Sequence, residues 1–278
     1  MRLLDLFCGA GGAAMGYSLV GFEVVGVDIW PQPRYPFAFH QADAMTFPLD
    51  GFDAIHASPP CQRYSGISVV YGAAANHPDL IAATRDRLKG SGVPWVIENV
   101  PGAPLDHPTM LCGSALGLPL KRHRLFETSF PMMSPGCAHG HHRKKYRIRQ
   151  HGREIDTAFC YVFGGGQAGQ PVASWREAMG IDWMTVDELS QAIPPVYTEH
   201  IGHYLMAEIE RRSESRSSED DDQQSELGVP SGQSPATSYD EPATGGAAPA
   251  GTRGNACAAS HPRTGSPLST DGPSGNAS

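Results

Sequence analysis

The stretch "RLLDLFCGAGG", Arg2 to Gly12, decides the fold. Arg2 to Phe7 is a short apolar run, strand-like, and it ends abruptly in a cluster of glycines. Ala13, Ala14, Met15, Tyr17, Leu19 and Val20 then suit one buried helix face. The unit is strand, tight turn, helix. At such a turn the missing side chains of Gly9, Gly11 and Gly12 let backbone N–H groups and a helix N-terminus approach a polar ligand.

Working outward, "EVVGV" (Glu23 to Val27) reads as a second strand ending at Asp28. "FDAIHA" (Phe52 to Ala57) and "WVIENV" (Trp95 to Val100) read as further strands bounded by Gly or Pro. Leu80 to Leu88 lies between the last two and reads as a helix. Strands alternating with helices imply an α/β fold with a mostly parallel sheet, helices on both faces, and ligands at the carboxyl ends of the strands. A carboxylate at Asp28 can accept hydrogen bonds from both hydroxyls of a ribose. A glycine turn without ligand, or a dinucleotide enzyme, would share these features.

From about Gly102 to Gly169 the pattern degrades into Gly, Pro, His and basic residues with strand-like pieces such as "KYRIRQ" and "TAFCYVFGGG". This reads as a small irregular lobe. Ser174 to Met179, Val186 to Ile193 and Val196 to Arg211 look helical, the last starting just after Pro194 and Pro195. Beyond Arg211 the chain is rich in Ser, Gly, Pro, Ala and Asp and has too little apolar surface to order itself. The expected organisation is therefore 1–120 as the α/β domain, 121–170 as a basic lobe, 171–211 as helices packing back, and 212–278 as a disordered tail.

The formal charge of −8 owes much to the run Glu219 to Asp222 and misleads about the rest. Between Lys121 and Arg153 stand nine Lys or Arg residues and a single acid, Glu127. A polyanion partner is the natural reading, a solvated basic loop the plain one. The six cysteines (8, 61, 112, 137, 160, 257) form no regular framework, and the chain opens on a strand rather than a cleavable leader, so an intracellular, reduced protein is expected. No apolar run approaches the roughly 20 residues that span a bilayer.

The stretch that carries chemistry is "SPPCQRYS", Ser58 to Ser65, where two proline rings fix the backbone that presents Cys61. A lone cysteine is more often a small buried hydrophobe than a nucleophile. Here, however, "ENV" (Glu98 to Val100) ends an adjacent expected strand, so an acid and a thiol would face one pocket. "CAHGHH", with Cys137, His139, His141 and His142, offers sulfur and imidazole at close spacing, but no second ligand pair stands nearby in sequence and no metal is assigned.

"DLFCGAGG", "SPPCQRYS", "WVIENV" and "LKRHRLFE" occur in the order and at roughly the spacing of the DNA cytosine-5 methyltransferase family, which the chain resembles. The resemblance covers about residues 1–205, with "LSQAIPPVYTEHIG" similar to that family's closing motifs. It implies a Rossmann-like fold binding S-adenosylmethionine. Phe7, Gly9, Ala10, Gly11 and Gly12 would hold the amino-acid end of the cofactor, Asp28 its ribose, and Trp30, Asp43 and Ala44 its adenine. Cys61 would be the nucleophile, Glu98, Arg122 and Arg124 the charge-stabilising groups, and Gln62 and Ser65 substrate contacts. The chemistry needs these types, because cytosine C5 attacks a sulfonium poorly until a thiolate adds at C6. Double-stranded DNA would be the partner, with the target base swung out of the helix.

A short chain with no recognisable nuclease or ATPase motif looks like a stand-alone modification enzyme, expected to be a monomer, cytoplasmic in a microbe or encoded by its virus, that shields its own DNA. Two positions depart from the family pattern: Leu120 stands where Gln is usual, and Gln191 where Asn is usual. The region between Arg124 and Phe163, about 40 residues long, is short for target recognition. Amino-group methyltransferases with an aromatic residue at position 61, a transfer-RNA methyltransferase, an inactive DNA-binding relative and a modified sulfonium donor remain alternatives.

Overall fold

The computed structural model describes residues 1–64, 78–140, 146–150, 153–162 and 170–226, with the backbone alone described at 148–150 and 219–226. In β1 (Arg2–Leu6), Leu4 and Leu6 pack with Val27, Ile55, Leu88 and Ile97, whereas Leu3 packs with Tyr17, Val96, Phe126 and Leu205. A strand apolar on both faces belongs inside a sheet covered on both sides. The helices do this: α1 (Gly12–Leu19) covers one face and α2 (Ile81–Lys89) the other.

The remaining strands of the sheet are β2 (Glu23–Asp28), β3 (Ala38–Gln41), β4 (Ala54–Ala57), β5 (Trp95–Asn99), β6 (Thr109–Cys112) and β7 (His123–Thr128). Their order is β3-β2-β1-β4-β5-β7-β6. Pairing is parallel from β3 to β5, with Leu4 opposite both Val25 and Ile55. β7 runs antiparallel to β5 and to β6. The chain reverses direction across the sheet between β1 and β4, which opens a crevice at the carboxyl ends of those two strands.

After the sheet come the hairpin β8 (Tyr146–Gln150) and β9 (Arg153–Thr157), then α3 (Val172–Met179), α4 (Val186–Gln191) and α5 (Pro195–Glu226). α4 begins with a capping box, in which the Thr185 hydroxyl and Glu188 carboxylate each bind the other's backbone N–H. α5 lies along α1, where Thr198 donates to the Ala13 carbonyl at 2.8 Å. Trp183 donates its indole N–H to the Ala10 carbonyl at 2.9 Å, tying the 180s to the glycine turn.

Three differences from the sequence reading stand out. β6 and β7 fall within the span read as an irregular lobe, and β7 lies inside the main sheet, so the sheet domain does not stop at 120. β7 hides its strand character because Arg124 and Glu127 are polar residues serving internal ion pairs. Of "TAFCYVFGGG", Thr157 ends β9, residues 158–162 form no strand and meet the sheet through an isolated bridge of Cys160 to Leu120, and 163–169 lie outside the described residues.

α5, finally, continues to Glu226, past the tail boundary placed at 212. What ends near there is burial, Glu208 being the last buried side chain among those described. Glu208 holds both Arg211 and Arg212, and the Ser215 and Ser217 hydroxyls return to carbonyls one turn back. Among the described residues no helix is long and apolar enough to cross a membrane.

Candidate active site

The end of β1 carries the first feature. Phe7 has φ +57°, an unusual backbone for an aromatic residue, and Gly9 follows at +49°. The glycines have different reasons to be glycine. A side chain at Gly9 would meet nothing within 4 Å, whereas one at Gly12 would run into the Ile193 carbonyl at 2.4 Å. Gly11, at φ +85°, faces Pro36 and Tyr35. Gly9 alone of the three has open space where a side chain would stand; the other two are glycine because the chain packs closely against them.

Asp28 ends β2 beside this turn. One of its oxygens accepts from the Gly9 N–H at 3.0 Å and the other from the Trp30 N–H at 2.9 Å. A carboxylate oxygen has lone pairs beyond these two bonds. Trp30 is 71% exposed, an apolar ring left on the surface next to that carboxylate. Asp43 follows β3, is exposed, and accepts from the Met45 N–H. Ala44 and Ala10 are buried, and the Ala44 carbonyl is taken by Arg87. Ala44 therefore packs in the core, and only its neighbour Asp43 presents a side chain outward.

β4 leads through Ser58, Pro59 and Pro60 to Cys61, and a single turn of 3-10 helix (Gln62–Tyr64) follows. The fully buried Asn99, at the end of β5, donates from Nδ2 to the Pro59 carbonyl at 3.0 Å and accepts from the Val100 N–H. This amide fixes the proline pair that carries the thiol to the end of the neighbouring strand.

Cys61 lines a cavity of about 590 Å³ together with Gln62, Leu120, Arg122, Arg124 and Gln191. Burial and the Glu98 carboxylate push its thiol up, and Arg124 and Arg122 oppose that rise. Ser65, expected among the substrate contacts, lies outside the described residues.

Glu98 is 6% exposed and its Oε1 lies 3.1 Å from Arg124 Nε. It is not itself a wall of the cavity: the wall is Arg124, with the carboxylate held behind it. Burial raises its protonation range, and Arg124, Arg122 and a hydrogen bond from Ser58 lower it.

Arg122 is buried, donating to the Val162 and Ser190 carbonyls at 2.6 Å each, while its own carbonyl accepts from the Tyr197 hydroxyl. Burial brings its guanidinium down to about 9. These bonds make Arg122 a clasp between β7, the segment after β9 and α4, with Arg124 the more accessible of the two.

Sequence reasoning missed one group. His56 is fully buried, its Nδ1 lying 2.9 Å from the Tyr17 hydroxyl and its Nε2 2.9 Å from Ser58 Oγ. Burial takes it down to about 3, so it is neutral. Because Ser58 donates to Glu98, His56 must donate from Nε2 and accept at Nδ1, which gives one direction to the chain Tyr17, His56, Ser58, Glu98. A histidine two residues before a serine in a buried strand was the signal available.

A mostly parallel sheet with an antiparallel β7, and with a glycine turn and an acid at the first two strand ends, defines the Rossmann-like methyltransferase fold. Residues 1–104 match the family model for C-5 cytosine-specific DNA methylase. Cys61 and Glu98 fall inside the match; Arg122 and Arg124 fall beyond it.

Among solved structures, the Schizosaccharomyces pombe Dnmt2 methyltransferase is similar at 14% identity and TM-score 0.52, over 74% of this chain and 98% of that one. An Entamoeba histolytica methyltransferase is similar at 12% identity and TM-score 0.51, over 75% and 98%. These likenesses speak for the fold. No curated protein matches the chain.

Proposed function

We propose that the protein transfers a methyl group from S-adenosylmethionine to C5 of cytosine in double-stranded DNA, through a transient bond between Cys61 and C6. The observation that carries this reading is one cavity with Cys61 and Arg124 on its wall and Glu98 paired directly behind Arg124. Its volume lies in the range of small-molecule sites, ample for a single extruded base.

The residues at the ends of β1 and β2 fit the cofactor: an open space at Gly9, an Asp28 carboxylate with lone pairs to spare, and an exposed Trp30. When bound there, S-adenosylmethionine would supply an electrophilic methyl group on a sulfonium. Phe7 and Gly9 would meet its amino-acid end, Asp28 its ribose, and Trp30 with Asp43 its adenine.

In the reaction, Cys61 must first lose its proton. Its thiol is held up partly by the charge on Glu98. Glu98, whose protonation range burial raises, takes a proton from water and shares it with N3 of the base, while the thiol proton leaves to water; the charge that held the thiol up is thereby withdrawn and the thiolate becomes accessible. Sγ then bonds to C6, and the electrons pushed into the ring are stabilised by Glu98 at N3 and the exocyclic amine and by Arg124 at O2. C5, now nucleophilic, takes the methyl group. Loss of the C5 proton to water expels Cys61 and restores the aromatic ring.

Since Arg124 occupies Glu98 in this structure, the base must draw the pair apart on entry. Gln62, which lines the cavity beside Cys61, would contact the substrate, and Ser65, three residues further on in sequence, would be a second contact.

Incubation of the protein with labelled S-adenosylmethionine and either duplex DNA or transfer RNA, followed by nucleoside mass spectrometry, tests this reading. 5-Methylcytosine in the DNA alone is expected. Label on the exocyclic amine, or in RNA alone, would contradict it.

A further inference from the structure

A second cluster of reactive side chains lies on the same rim of the sheet, two strands from Cys61. β6 ends at Cys112 and β7 begins at His123, and the two residues are paired across the strands. The loop after β7 brings Cys137 and His139 back against them. Each of the four offers one ligand atom, and all four atoms lie within 4.8 Å of one another. Cys112 Sγ is 3.4 Å from His139 Nε2, and Cys137 Sγ is 3.4 Å from His123 Nε2.

We propose that Cys112, His123, Cys137 and His139 bind one Zn²⁺ ion as a closed tetrahedral site, an assignment independent of the methyl-transfer reading. With Zn–S near 2.3 Å and Zn–N near 2.0 Å, the edges of such a tetrahedron run roughly 3.3 to 3.8 Å. The two sulfur–nitrogen contacts already have that length. Binding as two thiolates and two neutral imidazoles releases two protons and leaves the centre neutral, which suits a site beside Lys121, Arg122 and Arg124. All four positions are filled by protein, the mark of a structural rather than a catalytic zinc.

The packing around the cluster calls for such a cross-link. Cys112 is buried and His123 partly so, but Cys137 and His139 sit on an exposed loop. That loop is also held to β6 and its following turn by the Thr109 hydroxyl on the Met132 carbonyl, the Ser134 hydroxyl on the Met110 carbonyl and the Ala138 N–H on Ser114.

A metal bound to His123 would also steady the backbone from which Arg124 projects, since Arg124 donates to the His123 carbonyl at 2.9 Å. In sequence, Cys137 and His139 stand without a second pair because the folded sheet supplies it. His141 and His142 lie outside the described residues.

The test is metal analysis of the full chain purified under mild reductant without chelator, with cobalt(II) exchange read by absorption. One zinc per chain is expected, together with intense ligand-field bands and a thiolate charge-transfer band in the cobalt form. Cys137→Ser and His139→Ala, both at exposed positions, should lower bound zinc to less than about a tenth of an equivalent. Cys61→Ser and Cys160→Ser should leave it at one. Metal-free protein with no cobalt–thiolate band, full zinc in Cys137→Ser, or a Cys112–Cys137 disulfide in peptide mapping would each overturn the assignment.

Discussion

The two halves of the sheet are built on different physics. In β2, β1, β4 and β5, parallel strands apolar on both faces are locked by burial, and the thiol loop is placed by a buried amide and an imidazole. At the antiparallel edge, β6 has only four residues and β7 carries Arg124 and Glu127. They are held by Arg85 on Glu127, by the Arg122 clasp on two carbonyls and by the Cys112, His123, Cys137 and His139 cluster. Hydrophobic burial tolerates substitution in graded steps, whereas a polar link that loses one partner leaves an unpaired buried group. The strands beneath the nucleophile thus belong to the forgiving half, and the Arg122 and Arg124 charges beside it to the exacting one.

The largest expected effect on stability is at the edge. Glu127, 4% exposed at its side chain, meets Arg85 through two bonds of 2.7 and 2.8 Å. Glu127→Gln should cost about 3–5 kcal/mol in denaturant unfolding. A loss under about 1 kcal/mol would erase the contrast drawn between the halves.

Glu98→Gln comes next. It keeps the shape but removes the negative charge, so kcat should fall by about a hundred- to a thousandfold with the fold intact by circular dichroism. An unchanged kcat would remove Glu98 from the chemistry.

In the parallel half, Tyr17→Phe strips the donor from His56 Nδ1, for a loss of about 1–3 kcal/mol in thermal unfolding. A shift of the ring proton from Nε2 to Nδ1 would make Nε2 an acceptor from Ser58 and take that donor away from Glu98. The pH profile of kcat should therefore shift as well, which a purely structural role would not produce.

The last effect vanishes in acid. Asp5, wholly buried in β1, has its carboxyl raised from 3.8 to about 8. A folded value above the unfolded one gives stability that is full below about 3.8 and is lost as pH rises through 8. Asp5→Asn should therefore match the parent near pH 4 and unfold at a higher temperature above pH 8; equal melting curves across that range would contradict it.

What the sequence made legible follows the same division. β1, β2, β4 and β5 are dense in buried apolar residues, and their carboxyl ends, Asp28, Cys61 and Glu98, could be placed on one rim from pattern alone. β3, β6 and β7 could not. Ala38–Gln41 is mostly exposed, and β7 alternates around partners distant in sequence. That Gly11 and Gly12 also pack against Pro36 and Ile193 was not legible, because those neighbours come from segments that only the fold brings close. Cys112 and His123 gave no sign of partnership with Cys137 and His139, because their proximity depends on the pairing of β6 with β7.

The most direct test of the central claim replaces the C5 hydrogen of the target cytosine by fluorine, which cannot leave as a proton. Duplex oligonucleotides containing 5-fluorocytosine, incubated with S-adenosylmethionine under conditions of demonstrated turnover, should become covalently linked to the protein. Peptide mapping should find the bond on Cys61, and Cys61→Ser should give no linkage. Turnover on ordinary cytosine with no trapped complex, or trapping at another residue, would contradict the account.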